Sequence, residues 1–305
     1  MRPLLTGVIP PLVTPFTVDG DIDADALKGE ARFMLSKGVH GVCVGGSTGE
    51  GHTLMRDELL RVVSVVQEEV GDKIPVVAGI IVNSTRQAVL SARDMSKLGI
   101  KGLQITPVHY LFKPDDDATI AHFRTIAGET DIPIIIYNVI PWNYLRPDLL
   151  VRLMTELPEI AGVKQSQGDM KLMADLLLAT PKDKVVLSAI DALLYPSFAL
   201  GAHGTIAANP AAVPGVCVRL WNAVQQGDHK LGLEIHRAML RFWNTIAGDN
   251  LPACVKHALS RQGAPGGYPR APMPASTPSQ KAAIDRELEN VLAFEDAAAS
   301  SARAA

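Results

Sequence analysis

The sequence predicts a (β/α)8 TIM barrel with a C-terminal helical appendage. Three observations carry this. Eight short apolar runs recur, each followed by a polar loop and a segment of helical period. Most of the runs are almost continuously hydrophobic, as strands covered on both faces of a parallel sheet must be. The alternation fills about 225 residues, the length such a barrel needs. A doubly wound open sheet is the competitor, but no nucleotide-binding glycine fingerprint follows the first run.

The strand candidates are 6–15 (TGVIPPLVTP), 41–46 (GVCVGG), 75–80 (PVVAGI) and 102–107 (GLQITP), then 133–139 (PIIIYNV), 160–166 (IAGVKQS), 184–190 (KVVLSAI) and 204–209 (GTIAAN). Between the first two, Leu27, Ala31, Met34 and Leu35 form a helical stripe, with Asp23 as its capping candidate and Gly38 as its stop. Leu59, Val62, Val63, Val66 and Val70 form the next stripe, closed by Gly71. Residues 84–99 and 147–158 repeat the pattern. The barrel is expected to occupy residues 1–227 and a helical extension packed on it residues 228–296, its last helix over roughly 278–294. Residues 297–305 (the Ala- and Ser-rich end) are expected to fray.

Composition narrows the function. A chain of 305 residues, 47% hydrophobic, can bury about three quarters of its unfolded surface in one core. The net charge of −3 comes without long runs of one sign, which speaks against a nucleic-acid partner. Cys43, Cys217 and Cys254 are odd in number and far apart, which fits a reducing cytoplasm. Prolines at 3, 10, 11 and 15 interrupt the N-terminal apolar stretch, so neither a signal core nor a membrane helix is expected there. The eight histidines show neither HxH nor HExxH spacing, so no metal is expected. No GxSxG elbow is present, and AANPAA after the eighth strand is no phosphate cradle.

Catalytic groups of such barrels gather at the C-terminal ends of the strands. Those ends carry Ser47 and Thr48 after strand two, and Thr106, His109 and Tyr110 after strand four. Tyr137 and Asn138 end strand five, Lys164 strand six, and Ala189 and Asp191 follow strand seven. A lysine closing the apolar run IAGVK either packs its stem and sends its ammonium to solvent, or serves as a desolvated amine that attacks a carbonyl carbon. Lys101, at the start of strand four, takes the first of these. Tyr137 is a rim residue or a proton carrier for that amine. The GGSTGE segment (45–50) is a turn shaped by glycine, or a set of backbone N–H groups aimed at an anion. Glu50 reads as a first-turn acid favourable to the helix dipole.

Taken in order, GVIPPLVTPF, GGSTGEGHTL, ITPVHY, IPIIIYNVIP, IAGVKQSQGD, LSAIDALLYPSFALGAHGTIAAN, LPACVKHAL and PRAPMPAST resemble the dihydrodipicolinate synthase and N-acetylneuraminate lyase family of class I, pyruvate-dependent aldolases. The resemblance covers nearly the whole chain. It implies an enzyme of the lyase class, with a Schiff base between Lys164 and pyruvate or another 2-keto acid. It implies Tyr137 as proton shuttle and Ser47 and Thr48 as carboxylate cradle and relay hydroxyl. His109 stands at the strict position of the tyrosine that many members lend to a neighbouring subunit, and Tyr110 one residue later; either is the candidate. A homotetramer or dimer is implied, with no cofactor beyond the covalent adduct. The expected substrate-binding set is Gly46, Ser47, Thr48, Trp142, Asn143, Ala189 and Ile206.

Two departures bear on the substrate. YNVIPWNYL has an extra residue before its proline and no arginine until Arg146, where a dihydrodipicolinate synthase carries one for the carboxylate of aspartate semialdehyde. The end of strand seven, SAIDA, lacks the family's usual glycine, and Arg56 stands where lysine-feedback residues are expected. The acceptor is therefore expected to differ from aspartate semialdehyde. A 2-keto-3-deoxy sugar acid dehydratase or aldolase and an aromatic hydratase-aldolase are the alternatives within the family. A non-catalytic barrel that binds a keto acid is the alternative outside catalysis.

Overall fold

The structure, a computed structural model, describes the backbone of residues 5–304 and the side chains of residues 5–295. Eight parallel strands, β1 (Gly7–Val8), β2 (Val42–Val44), β3 (Val76–Ile80), β4 (Gly102–Ile105), β5 (Ile134–Asn138), β6 (Ile160–Gln165), β7 (Val185–Ser188) and β8 (Gly204–Thr205), curl in the order β1-β8-β7-β6-β5-β4-β3-β2. The ring closes between β1 and β2, where Pro11 bridges Cys43 and the Leu12 and Cys43 N–H groups donate to the Cys43 and Pro10 carbonyls. The first strand is much shorter than its apolar run. Pro10 and Pro11 have no N–H to give a ladder, so only a bridge survives beyond Val8. The last strand is shorter as well, because Ala208 already begins a helix.

Helices α1 (Ala24–Ser36), α2 (Arg56–Val70), α3 (Thr85–Met95), α4 (Asp116–Ala127), α5 (Pro147–Glu156), α6 (Met170–Ala179) and α7 (Leu194–Ala199) follow the first seven strands, and α8 (Ala208–Ala212) and α9 (Pro214–Gln225) follow β8. Side-chain caps appear where the sequence placed polar residues before apolar stripes: Asp23 accepts from the Ala26 N–H and Ser84 from the Gln87 N–H. Gly227, φ +78°, turns the chain from α9 into α10 (His229–Ile246), which precedes α11 (Leu251–Arg261) and α12 (Pro278–Ala304). Helix α12 packs on α10, α11 and α9. The expected tail, 297–305, lies outside the residues whose side chains are described.

Two apolar layers result. The larger lies between the strands and the helices. The smaller fills the barrel lumen with Leu5, Ile9, Cys43, Val77, Ile135, Val185, Leu187 and Ile206. Strand residues alternate faces, so the residue two beyond Ile135 is Tyr137, on the lumen side, and its register partner on β6 is Lys164. Gly162, two before Lys164, keeps this register tight: a Cβ there would stand 2.1 Å from the Val185 carbonyl oxygen.

Candidate active site

Lys164 enters the lumen from the penultimate position of β6 and is only 3% exposed. Its Nζ lies 3.6 Å from the centroid of the Tyr137 ring, on the ring face. The two side chains come from paired positions on adjacent strands, so sheet register alone sets their approach. Across the lumen the Tyr137 hydroxyl is 3.2 Å from Ser47 Oγ. Thr48, the hydroxyl expected in the relay, lines the same cavity but Ser47 is the one that meets Tyr137.

The GGSTGE loop packs its backbone too closely for side chains. Gly45 has φ +74°, and a Cβ at Gly51 or Gly79 would stand 1.9 or 2.6 Å from the Gly45 carbonyl oxygen. Gly51 N–H donates to Gly46 O, Glu50 N–H to Ser47 O, and Thr14 Oγ1 to Gly49 O. Among the described residues the Ser47 and Thr48 N–H groups have no protein acceptor. Glu50 does not serve the dipole of α2, which begins only at Arg56. Its side chain is buried instead, against Lys256 of α11 and the Arg270 N–H.

These groups open into a cavity of about 380 Å³. Ser47, Thr48, Tyr137, Lys164, Ala189 and Ile206 all line it. Gly46, buried in the same loop as Ser47, does not line it. Trp142 and Asn143 do not line it. A 3-10 turn over Pro141–Asn143 carries them toward the loop after β4, where Trp142 Nε1 donates to His109 O at 2.9 Å and Asn143 Nδ2 to Val108 O at 2.7 Å. His109 and Tyr110 lie in that loop, outside the cavity, and Tyr110 is 64% exposed beside exposed Leu111 and Phe112. Asn138 fixes the base of the next loop, exchanging bonds with Leu145 and donating to Gln165 Oε1.

Sequence reasoning missed several lining residues. Asp191 was legible, since it stands just past β7; its carboxylate accepts the Asn209 and Ala208 N–H groups at 2.5 and 3.2 Å. Burial pushes its carboxyl up to about 6, opposed by those backbone donors and by Lys164. His52, Val139 and Ser166 also face the cavity, and so do Asp249, Leu251, Pro252 and Met273 of the appendage. The last four are separated from every strand end in sequence; Leu251, Pro252 and Met273 fall within the resembling stretches LPACVKHAL and PRAPMPAST, but neither periodicity nor spacing places them at the site. Arg146 is exposed and bound to Asp116 and Asp148, outside the cavity. Among the described residues no cluster of three or more His, Cys, Asp or Glu side chains could hold a metal ion.

This arrangement can bring a buried amine, a phenol and a hydroxyl to one carbonyl carbon while free N–H groups face an anion. Known proteins share both sequence and fold. The chain is 33% identical to 4-hydroxy-tetrahydrodipicolinate synthase of Methanopyrus kandleri over 94% of this chain and 96% of that one. It is 34% identical to an uncharacterized DapA-like lyase of Thermofilum pendens over 94% and 95%. Dihydrodipicolinate synthase from Aquifex aeolicus superposes with a TM-score of 0.86 at 29% identity, covering 96% and 98%. The family model described as the dihydrodipicolinate synthetase family matches residues 4–291, and the chain belongs to that family.

Proposed function

We propose that this protein is a Schiff-base-forming lyase or aldolase acting on pyruvate or a related 2-keto acid, with an acceptor other than aspartate semialdehyde. One observation carries the reading: the buried Lys164 amine on the face of the Tyr137 ring, with Ser47 Oγ on the phenol. The amine adds to the C2 carbonyl and the carbinolamine loses water to give the imine. Tyr137, with Ser47 or Thr48 beside it, carries the protons that leave nitrogen and reach oxygen. The keto-acid carboxylate sits on the Ser47 and Thr48 N–H groups. Loss of a proton from C3 gives an enamine, which adds to the carbonyl carbon of an aldehyde; the reverse sequence cleaves the same bond. Neither metal nor organic cofactor enters these steps.

The acceptor reading rests on charge. Apart from Lys164 no lysine or arginine among the described residues lines the cavity, while Asp191 and Asp249 face it. A second carboxylate on the aldehyde would meet like charge without a guanidinium fork. We further propose a cytoplasmic homo-oligomer. The exposed Tyr110, Leu111, Phe112 and Trp142 form an apolar rim beside the site, which supports association. No helix among the described residues is long and apolar enough to cross a membrane.

Borohydride reduction in the presence of pyruvate, read by peptide mass, is expected to label Lys164. Labelling elsewhere, or none, would overturn the Schiff-base reading. A panel of aldehydes with pyruvate should show kcat/KM for aspartate semialdehyde lower by roughly tenfold or more than for the best neutral aldehyde. The opposite order would overturn the acceptor assignment. Labelling without turnover of any aldehyde would favour the non-catalytic binding barrel.

A further inference from the structure

Glu50 is the member of the glycine-rich loop that the proposed chemistry leaves unused. Its backbone is left-handed, φ +54° and ψ 30°, which a residue with a side chain holds only under constraint from its surroundings. Its side chain is fully buried. One carboxylate oxygen takes Lys256 Nζ at 2.6 Å and the other accepts the Arg270 N–H at 2.9 Å. Lys256, itself 2% exposed, also donates to Tyr268 O at 2.6 Å and stands 4.8 Å from the centre of the Phe16 ring. The Arg270 guanidinium lies 4.3 Å from that ring, forks onto both carboxylate oxygens of Glu58, and reaches Thr53 O and Gly20 O.

A buried ion pair is a poor source of stability, because desolvating two charges offsets their attraction and an apolar pair of similar volume does as well. What such a pair supplies is a defined geometry. Here it joins two segments that both line the cavity. Thr48 stands two residues before Glu50 in the loop, and Ser47 three, with Gly49 between. Leu251 and Pro252 open the helix that carries Lys256, and Met273 follows Arg270 by three residues.

We propose that Glu50, clamped by Lys256 and Arg270, is a positioning residue that holds the Ser47 and Thr48 N–H groups in place for the keto-acid carboxylate, registering them against the wall contributed by the appendage. The clamp rests on the proposed keto-acid site for the identity of the anion, but its effect on the loop does not. Affinity for the keto acid depends on the clamp; the Lys164 amine, carried on β6, does not.

The test compares Glu50→Gln and the paired Glu50→Gln/Lys256→Met with a matched control, Lys37→Met/Glu295→Gln, which removes an ion pair between the end of α1 and α12. The half-saturating pyruvate concentration for borohydride labelling is expected to rise about tenfold in the clamp variants, with labelling at saturation unchanged. Backbone amides of residues 46–51 are expected to exchange faster with deuterium in the same variants. The control is expected to move neither readout. Half-saturation and amide exchange within about twofold of the parent, or equal shifts in the control, would overturn the proposal. Should the paired variant fail to fold, Glu50→Gln alone decides by the same criteria. If the parent labels no pyruvate, the chemistry proposed for the site has failed, and amide exchange alone decides the clamp.

Discussion

Lys164 has a long stem to bury and one amine to present, and the lumen takes the stem while the Tyr137 ring receives the amine. Replacing it with methionine keeps the stem and removes the nitrogen. Lys164→Met is expected to lose pyruvate labelling completely while keeping the parent thermal midpoint or exceeding it, since a desolvated amine goes. Tyr137→Phe keeps the ring under Nζ and removes only the phenol oxygen. Turnover is expected to fall by roughly 10²–10⁴-fold, with a folded protein by circular dichroism. A Phe variant with parent turnover would exclude the phenol from proton transfer. Sequence marked both as polar groups near the ends of apolar runs, left a structural and a catalytic reading open for each, and gave their roles only through the family resemblance; in the structure, strand alternation puts them on one face. Trp142 and Asn143 were not legible as to direction. They follow the strand end by a few residues in a 3-10 turn, where no two-residue period says which way a side chain points.

Among the elements, the loops after β4 and β5 are tied to each other, and Val139 alone of them lines the cavity. Asn143, 1% exposed, donates to Val108 O, and Trp142 covers that junction from the solvent side. Asn143→Ala leaves a buried carbonyl unpaired and is expected to cost about 1–3 kcal/mol in denaturant unfolding. Its effect on pyruvate half-saturation should be small, because the cradle lies on another loop. A large rise in half-saturation with unchanged stability would instead put Asn143 at the substrate. The strands and their order were legible because apolar runs and helical stripes alternate without a break. The length of β1 was not, because Pro10 and Pro11 in its apolar run are buried yet cannot extend a ladder. Glu50 was misjudged for a related reason. Its partners, Lys256 and Arg270, lie more than 200 residues away, and local spacing cannot report a long-range ion pair.

At the scale of the whole molecule, buried acids set the pH response. Glu30, on α1, accepts the Val13 N–H with one oxygen while the other is buried without a partner, and burial pushes its carboxyl from 4.5 up to about 8. The folded state therefore binds this proton more tightly than the unfolded chain does. The resulting stability is fully present below pH 4.5 and is lost as pH rises through about 8. Glu30→Gln mimics the protonated acid and is expected to remove that slope, worth on the order of a few kcal/mol, from the difference between parent and variant midpoints over this range. Identical slopes in the two proteins would show that Glu30 ionises alike folded and unfolded. The division expected near residue 227 also has a consequence for the reactive space. A chain ending there would retain the amine, the phenol and the glycine loop. It would lack Asp249, Leu251, Pro252 and Met273, which line the cavity, and would leave the proposed enamine open to water as readily as to an aldehyde. The appendage is thus the part that turns a reactive barrel end into a vessel.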